Sequence, residues 1–388
     1  MDKKAFAIAG LLAVSFSMTA SAQQRGKYEF ERNLPVYADS LIADFKYPLA
    51  WGHSDIHDFD VWRRVARQQV FDCMLTPPPP PASGYDVKVL CEEQRQGYKA
   101  RKLEIRLSRY YTVPAYVLIP DGQGPFPAVN VLHDHGGHLF IGKEKMIRPL
   151  DCEPADVKED AQQWLKGYEG QFLGDYLAQH GYVVLSTDAP MWGERGQKEG
   201  ARRNMYDIIA GNMMMYGVDL SAYMTYDDLA ATEYLAQMPE VDELRIGCAG
   251  WSMGGYRAWM LAALSDRIKA GASVCWMVTA DEQMSFKYDR TENGGFANCS
   301  PDYADGLTIR TWPVWPARKP CSLSTAHRTS CSPWQVQRKP SRQCMTPGRV
   351  RVQATRFRQN SGICPTVAGR THSNAFWNSS RNTFDSKG

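Results

Sequence analysis

"CAGWSMGGYRAW" (Cys248–Trp259) decides how this chain is read, because it sets a lone serine between glycines just after an apolar run. The spacing Gly250-Trp251-Ser252-Met253-Gly254 is G-x-S-x-G. Before it, Leu244–Ala249 has the look of a short strand; after it, Tyr256–Leu264 has the look of a helix. A strand, a tight turn and a helix are the setting in which this motif raises a serine hydroxyl out of the backbone as a nucleophile. The glycines leave room for a strained turn.

Working outward, the flanking segments alternate strand and helix. "DVWRRVARQQVFDCML" (Asp60–Leu75) reads as an amphipathic helix ended by Pro77–Pro81. Residues 23–60 read as an N-terminal wrap, and "KLEIRLSRYYTVPAYVLIP" (Lys102–Pro120) as a hairpin at a sheet edge. A strand at Val129–Leu132 follows, then a polar helical insertion, a helix in "GQFLGDYLAQH" and a strand in "GYVVLSTDAP". The helix "AYMTYDDLAATEYLAQMPEVD" leads into the strand before Ser252, and "IKAGASVCWMV" is the next strand. Apolar strands alternating with helices predict an α/β fold with a mostly parallel sheet covered on both faces.

A serine hydroxyl needs a base, and its tetrahedral adduct needs donors for the oxyanion. One expected donor is the backbone N–H of Met253, the residue after the nucleophile. The turn His133-Asp134-His135-Gly136-Gly137 after the strand at Val129–Leu132 supplies the other. The N–H groups of Asp134 and His135 are both candidates for it. His133, His135 and His138 beside Asp134 also suit a metal cluster in type and spacing, but the glycines and the paired serine turn favour the oxyanion loop, and no metal or organic cofactor is expected. His53 and His57 read as structural, and Asp188, at a strand end ahead of Gly193 and Arg195, as a loop anchor.

The stretches "LHDHGGHLFIGKEK", "STDAPMWGERG", "GWSMGGYRAW" and "TENGGFANC" together resemble the secreted α/β-hydrolases of the acetyl xylan esterase-like and dienelactone-hydrolase-like kind, often found beside glycan-uptake genes in Bacteroidetes. The likeness covers roughly Tyr28 to Cys299. It implies ester hydrolysis by a Ser-Asp-His triad, with an acetylated polysaccharide or oligosaccharide as substrate. A lactonase or peptidase on the same scaffold, or a catalytically dead glycan binder, are the other readings, since a fold does not fix a substrate. Only Ser252 carries over residue for residue; the triad acid and base stay unassigned.

The chain has 388 residues, 44% of them hydrophobic, enough for one large domain. Residues 1–22 have the lysines, the apolar run and the small-residue end at Ala20-Ser21-Ala22 of a secretory signal, cleaved after Ala22. No segment is long enough to span a bilayer, so a periplasmic or secreted protein is expected. Ten cysteines in an oxidising compartment permit disulfides; with no metal-site or small-scaffold spacing among them, buried free thiols are the expectation. The hydrolase domain is assigned to residues 23–305.

The net charge of +3 hides an asymmetry. Residues 306–388 hold 14 Lys and Arg against the single acid Asp385, a net of +13, whereas residues 1–305 sum to −10. The tail has two leucines, Leu307 and Leu323, and scattered Pro, Ser and Arg. Its dispersed prolines argue against a nucleic-acid arm. "TWPVWPARKPCSLSTAHRTSCSPW" shows no strand pattern, and His327 and His372 follow no buried strand, so neither suits the missing base. The tail reads as a disordered, frameshifted translation of a normal hydrolase C-terminus. With codons chosen to suit the family, joining each third base of Thr308–Arg356 to the next two gives a string with "ALLFI" and then "NGTQD". The same step over Ser361–Phe384 gives "MPH" and an amphipathic last helix. These are a strand, an Asp, a His and a closing helix, in the order the fold needs.

Overall fold

A computed structural model of the chain describes residues 29–31, 34–74, 76–168, 170–197, 203–276 and 321–324. The signal segment, "TENGGFANC", His327, His372 and most of the tail lie outside the described residues.

Strands β1 (Phe30–Glu31) and β2 (Leu34–Pro35) form a small antiparallel pair, followed by α1 (Ala38–Ala43) and α2 (Phe59–Cys73). Helix α2 begins where Asp58 accepts the N–H of Val61 at 2.8 Å, and its Trp62, Ala66 and Val70 stripe is buried. β3 (Val87–Arg95), β4 (Tyr98–Ser108) and β5 (Tyr111–Pro120) make an antiparallel meander. β6 (Phe126–Leu132) leads into an insertion holding α3 (Ala155–Leu165), after which come α4 (Leu173–Gln179) and β7 (Val183–Thr187). α5 (Arg203–Met215) and α6 (Leu220–Gln237) precede β8 (Val241–Trp251), α7 (Met253–Leu264) and β9 (Ile268–Val274).

The main sheet runs β10-β9-β8-β6-β7-β5-β4-β3. Its pairings from β10 to β7 are parallel and those from β7 to β3 antiparallel. This is the α/β-hydrolase fold, with β8 central and fully flanked, as expected for the strand that delivers the serine. The expected hairpin is β4–β5, but β3 pairs outside it and is the true sheet edge. α7 is buried along its whole length, which is why its sequence is apolar almost all round.

Two expectations are corrected. Cys91 of β3 and Cys152 of the insertion form a disulfide, with 6.6 Å between Cα atoms. Cysteine spacing does not reveal such a pair, because the fold brings together residues 61 apart. The tail, read as lacking a strand, places β10 (Cys321–Ser324) parallel to β9, with Cys321 opposite Gly271 and Ser324 opposite Val274. Ladder pairing uses backbone groups, so the open side of β9 can be paired without an apolar alternation.

Candidate active site

Ser252 sits between β8 and α7 at φ +53°, ψ −124°. That conformation is almost closed to residues with a Cβ and is held only where the surroundings over-determine it. Here they do. The Ser252 N–H donates to Val274 O at 2.9 Å, and Ser252 O accepts from Tyr256 N at 3.0 Å. A Cβ on Gly250 would collide with the Gly254 carbonyl and stand 2.7 Å from Leu132 O. On Gly254 it would collide with Leu132 O, and on Gly255 it would lie 2.6 Å from Val274 O. The glycines are required because three backbone segments pass within van der Waals contact of the turn. Ser252 itself is half-buried, at the rim, and Met253 is buried under it.

The turn after β6 lies against this elbow. Its side chains do not form one cluster but go to separate partners. His133 is fully buried; its Nε2 accepts from Ala189 N at 3.0 Å and its Nδ1 donates to Asp134 O at 2.9 Å, which fixes a neutral tautomer. Burial, with Arg257, Lys145 and Lys143 nearby, holds its pKa well below the usual histidine value. With both ring nitrogens committed to backbone, His133 is not placed as a base. His135 packs its ring against Trp192 and Tyr206, at 5.2 and 5.9 Å between centroids. His138 Nδ1 meets Asp160 of α3 at 2.7 Å. The three histidines of the possible metal cluster therefore face a backbone carbonyl, an aromatic wall and a carboxylate. Among the described residues, the carboxylates close enough to share an ion are Glu144, Glu153 and Glu194. Lys143 Nζ already stands 2.6 Å from Glu144 and 2.7 Å from Glu194, and Lys102 Nζ 2.8 Å from Glu153, so ammonium groups supply the cation there.

Asp188 anchors loops. Its carboxylate, wholly buried, accepts Lys143 N at 2.7 Å, Lys143 Nζ at 3.0 Å and Glu194 N at 3.1 Å. Burial pushes its pKa up to about 6, against the pull of Lys143. A Cβ on Gly193, at φ +56°, would stand 2.5 Å from its Oδ2, so that glycine leaves space for the anchor. Behind the elbow, Arg257 of α7 makes a fork to Asp228 of α6 at 2.9 and 2.7 Å, both side chains buried.

Sequence reasoning missed two parts of the site. Lys143 and Lys145 are fully buried cations beneath the loop; the only signal was a pair of lysines in "GKEK" next to an apolar run. Trp164 and Tyr168 of the insertion stack on each other at 4.0 Å between centroids and on Trp251, the residue before Ser252, at 5.9 and 5.2 Å. Tyr168 also donates to Asp134 Oδ2 at 3.0 Å, tying this aromatic stack to the turn.

With the strand order, the elbow and its facing turn in place, the class is that of an α/β-hydrolase. The chain belongs to the Abhydrolase family, whose profile matches residues 37–291. It is 32% identical over 219 residues to YtaP of Bacillus subtilis (strain 168), a protein described as a hydrolase; that match takes in 56% of this chain and 66% of YtaP. A solved structure from Bacteroides fragilis NCTC 9343, described as an acetyl xylan esterase, superposes with a TM-score of 0.61 over 77% of each chain at 21% identity. That likeness speaks for the fold.

Proposed function

We propose that this chain is built as a serine-dependent carboxylic-ester hydrolase that removes acetyl groups from plant glycans such as acetylated xylan. The observation that carries the reading is the backbone of Ser252, held at φ +53° between β8 and α7 by contacts that tolerate only glycine on either side. Strain of this kind concentrates at functional sites. In the reaction Ser252 Oγ would attack the ester carbon. The N–H of Met253, with that of Asp134 or His135, would stabilise the oxyanion; the alcohol would leave with the hydroxyl proton as the acyl-serine forms, and water would then hydrolyse that ester to release acetate and regenerate the serine. No metal is needed in this scheme, so chelators should leave activity unchanged. The description of the Bacteroides fragilis relative supports the acetyl-glycan substrate. The Cys91–Cys152 disulfide supports export to the periplasm or beyond; no helix among the described residues is long and apolar enough to cross a membrane.

The test is labelling by a fluorophosphonate. An activated serine reacts, with Ser252→Ala silent; a folded protein that stays unlabelled even with the reading frame restored leaves the dead glycan-binder reading. Acetate release from acetylated xylan, set against phenol release from aryl esters, then separates a glycan deacetylase from a lactonase or peptidase.

The frameshift reading of the tail belongs to this proposal. "ALLFI" begins at the codon of Lys319 when the shifted string is counted from Thr308, and so overlaps Cys321–Ser324, the residues that form β10. A strand at that position parallel to β9 supports the view that the tail stands in for a normal hydrolase C-terminus. The nucleophile would then be kept while the base and its orienting acid are lost.

A further inference from the structure

Resting on the reading of Ser252 as nucleophile, we propose that Lys145 is a positioning residue: through the carbonyls of Asp134 and His135 it turns the backbone N–H groups of the β6 turn toward the oxyanion. Lys145 is wholly buried, and its Nζ donates to His135 O at 2.9 Å and Asp134 O at 3.2 Å, with Asp134 Oδ1 at 3.6 Å. Its three donors thus face three oxygens of the turn. The two carbonyls belong to consecutive peptide planes, and each has a second partner. His133 Nδ1 stands 2.9 Å from Asp134 O, and Trp192 Nε1 donates to His135 O at 3.2 Å.

In a planar trans peptide, C=O and N–H point in opposite directions. Drawing both carbonyls to one ammonium therefore turns the N–H groups of His135 and Gly136 to the other side together. Gly136 and Gly137 follow at φ +54° and +74°, left-handed conformations that glycine adopts without strain, and the Gly137 N–H donates to His135 Nδ1 at 3.3 Å. A Cβ at Gly136 would lie 2.7 Å from Asp134 Oδ2, so a side chain there would displace the carboxylate that Lys145 and Tyr168 approach. The turn packs on the elbow, since a Cβ on Gly254 would stand 2.8 Å from His133 O. Of the two donors left open by the sequence, this geometry favours His135 over Asp134, with Gly136 beside it.

A lysine serves this purpose where an apolar chain of the same length does not. Burying an ammonium is costly unless oxygens replace its water, and here burial lowers the lysine pKa while Asp134 opposes the shift. A purely space-filling role would be met by methionine. Lys145 is distinct in task from Lys143, which contacts Asp188, Glu144 and Glu194 and no carbonyl of the turn.

The experiment is the rate at which a fluorophosphonate labels Ser252 in the full chain. The Oγ–P bond forms as P–F breaks, fluoride leaves, the hydroxyl proton goes to solvent, and negative charge gathers on the phosphoryl oxygen in the oxyanion site. Lys145→Met should slow labelling tenfold or more at an unchanged melting temperature, and Lys145→Arg should restore it to within threefold of wild type. Should Lys145→Met not fold, Trp192→Phe, which removes one donor to His135 O, should slow labelling about threefold. Folded Lys145→Met or Trp192→Phe protein labelling at the wild-type rate overturns the role of Lys145 alone. Where the present chain labels too slowly to compare, the same variants are read in the restored-frame protein; a folded restored-frame protein in which Ser252 is not labelled overturns the nucleophile reading and the inference with it.

Discussion

At Ser252 the backbone conformation costs about 1–3 kcal/mol, and the glycines around it are what keep the turn closed. Gly254→Ala is therefore expected to destabilise the protein by on the order of 3 kcal/mol, because its new Cβ meets the carbonyls of Leu132, the last residue of a central strand, and of His133, the first of the turn after it. Denaturant unfolding measures this, and a loss under about 1 kcal/mol would contradict the packing argument. His133 gives a second prediction at this scale. Its folded pKa is well below the unfolded value of about 6.5. Below pH 6.5 the unfolded chain takes up a proton that the folded chain refuses. Stability from the neutral ring is therefore present above about pH 6.5 and falls as pH drops toward the folded pKa, by up to about 1.4 kcal/mol per pH unit. Asp188, its pKa raised to about 6, acts in the opposite direction below that value, so the readout is the difference between wild type and His133→Asn. That difference should shrink between pH 7 and 5, and parallel stability curves would refute the assignment.

Among the elements, the clamp between α6 and α7 holds the helix that follows Ser252. Asp228→Ala leaves the Arg257 guanidinium buried without its carboxylate, which typically costs about 3–5 kcal/mol. Replacing both partners together, as Asp228→Leu with Arg257→Met, should recover most of that loss in the same unfolding measurement. Recovery of none would mean that packing, not charge, governs the pair. How far such elements were legible follows from where their causes lie. The Ser252 turn, α7, and strands β6, β7 and β8 were readable because glycine spacing and apolar periodicity are local causes. β3 was not, since "VKVLCEEQR" is largely exposed along one face of an edge strand and lacks a buried period. Helix α5 begins after a stretch without an N-cap signal and was passed over. The burial of Lys143 and Lys145 was out of reach as well, because what makes it tolerable is a set of carboxylates and carbonyls brought in from other loops. The same holds for Cys91 and Cys152: their pairing is a property of the meander meeting the insertion, not of either segment alone.

Over the whole molecule, two covalent facts bear on stability: the disulfide and the continuity of the reading frame. Closing a loop of 61 residues by Cys91–Cys152 restricts the unfolded chain by about 4 kcal/mol in the chain-entropy account. Reduction should therefore lower the melting temperature, and Cys91→Ala with Cys152→Ala should reproduce the reduced value; equal melting before and after reduction would show the bond to be idle. The tail sets a larger effect. Among the described residues β10 pairs four positions with β9, and the sequence around it is basic and poor in leucine. On the proposed frameshift reading, a restored-frame protein would gain an apolar strand at this place, an Asp after it, a His and a last helix. It should melt well above the present chain and hydrolyse acetyl esters faster by several orders of magnitude, the usual scale for regaining triad partners. Resequencing the coding region around codon 306 decides the matter first: a single-base shift confirms the reading. An uninterrupted frame in independent reads, or a stably folded circular-dichroism spectrum from isolated residues 306–388, would make the basic tail genuine. The base assisting Ser252 would then have to come from elsewhere in the chain.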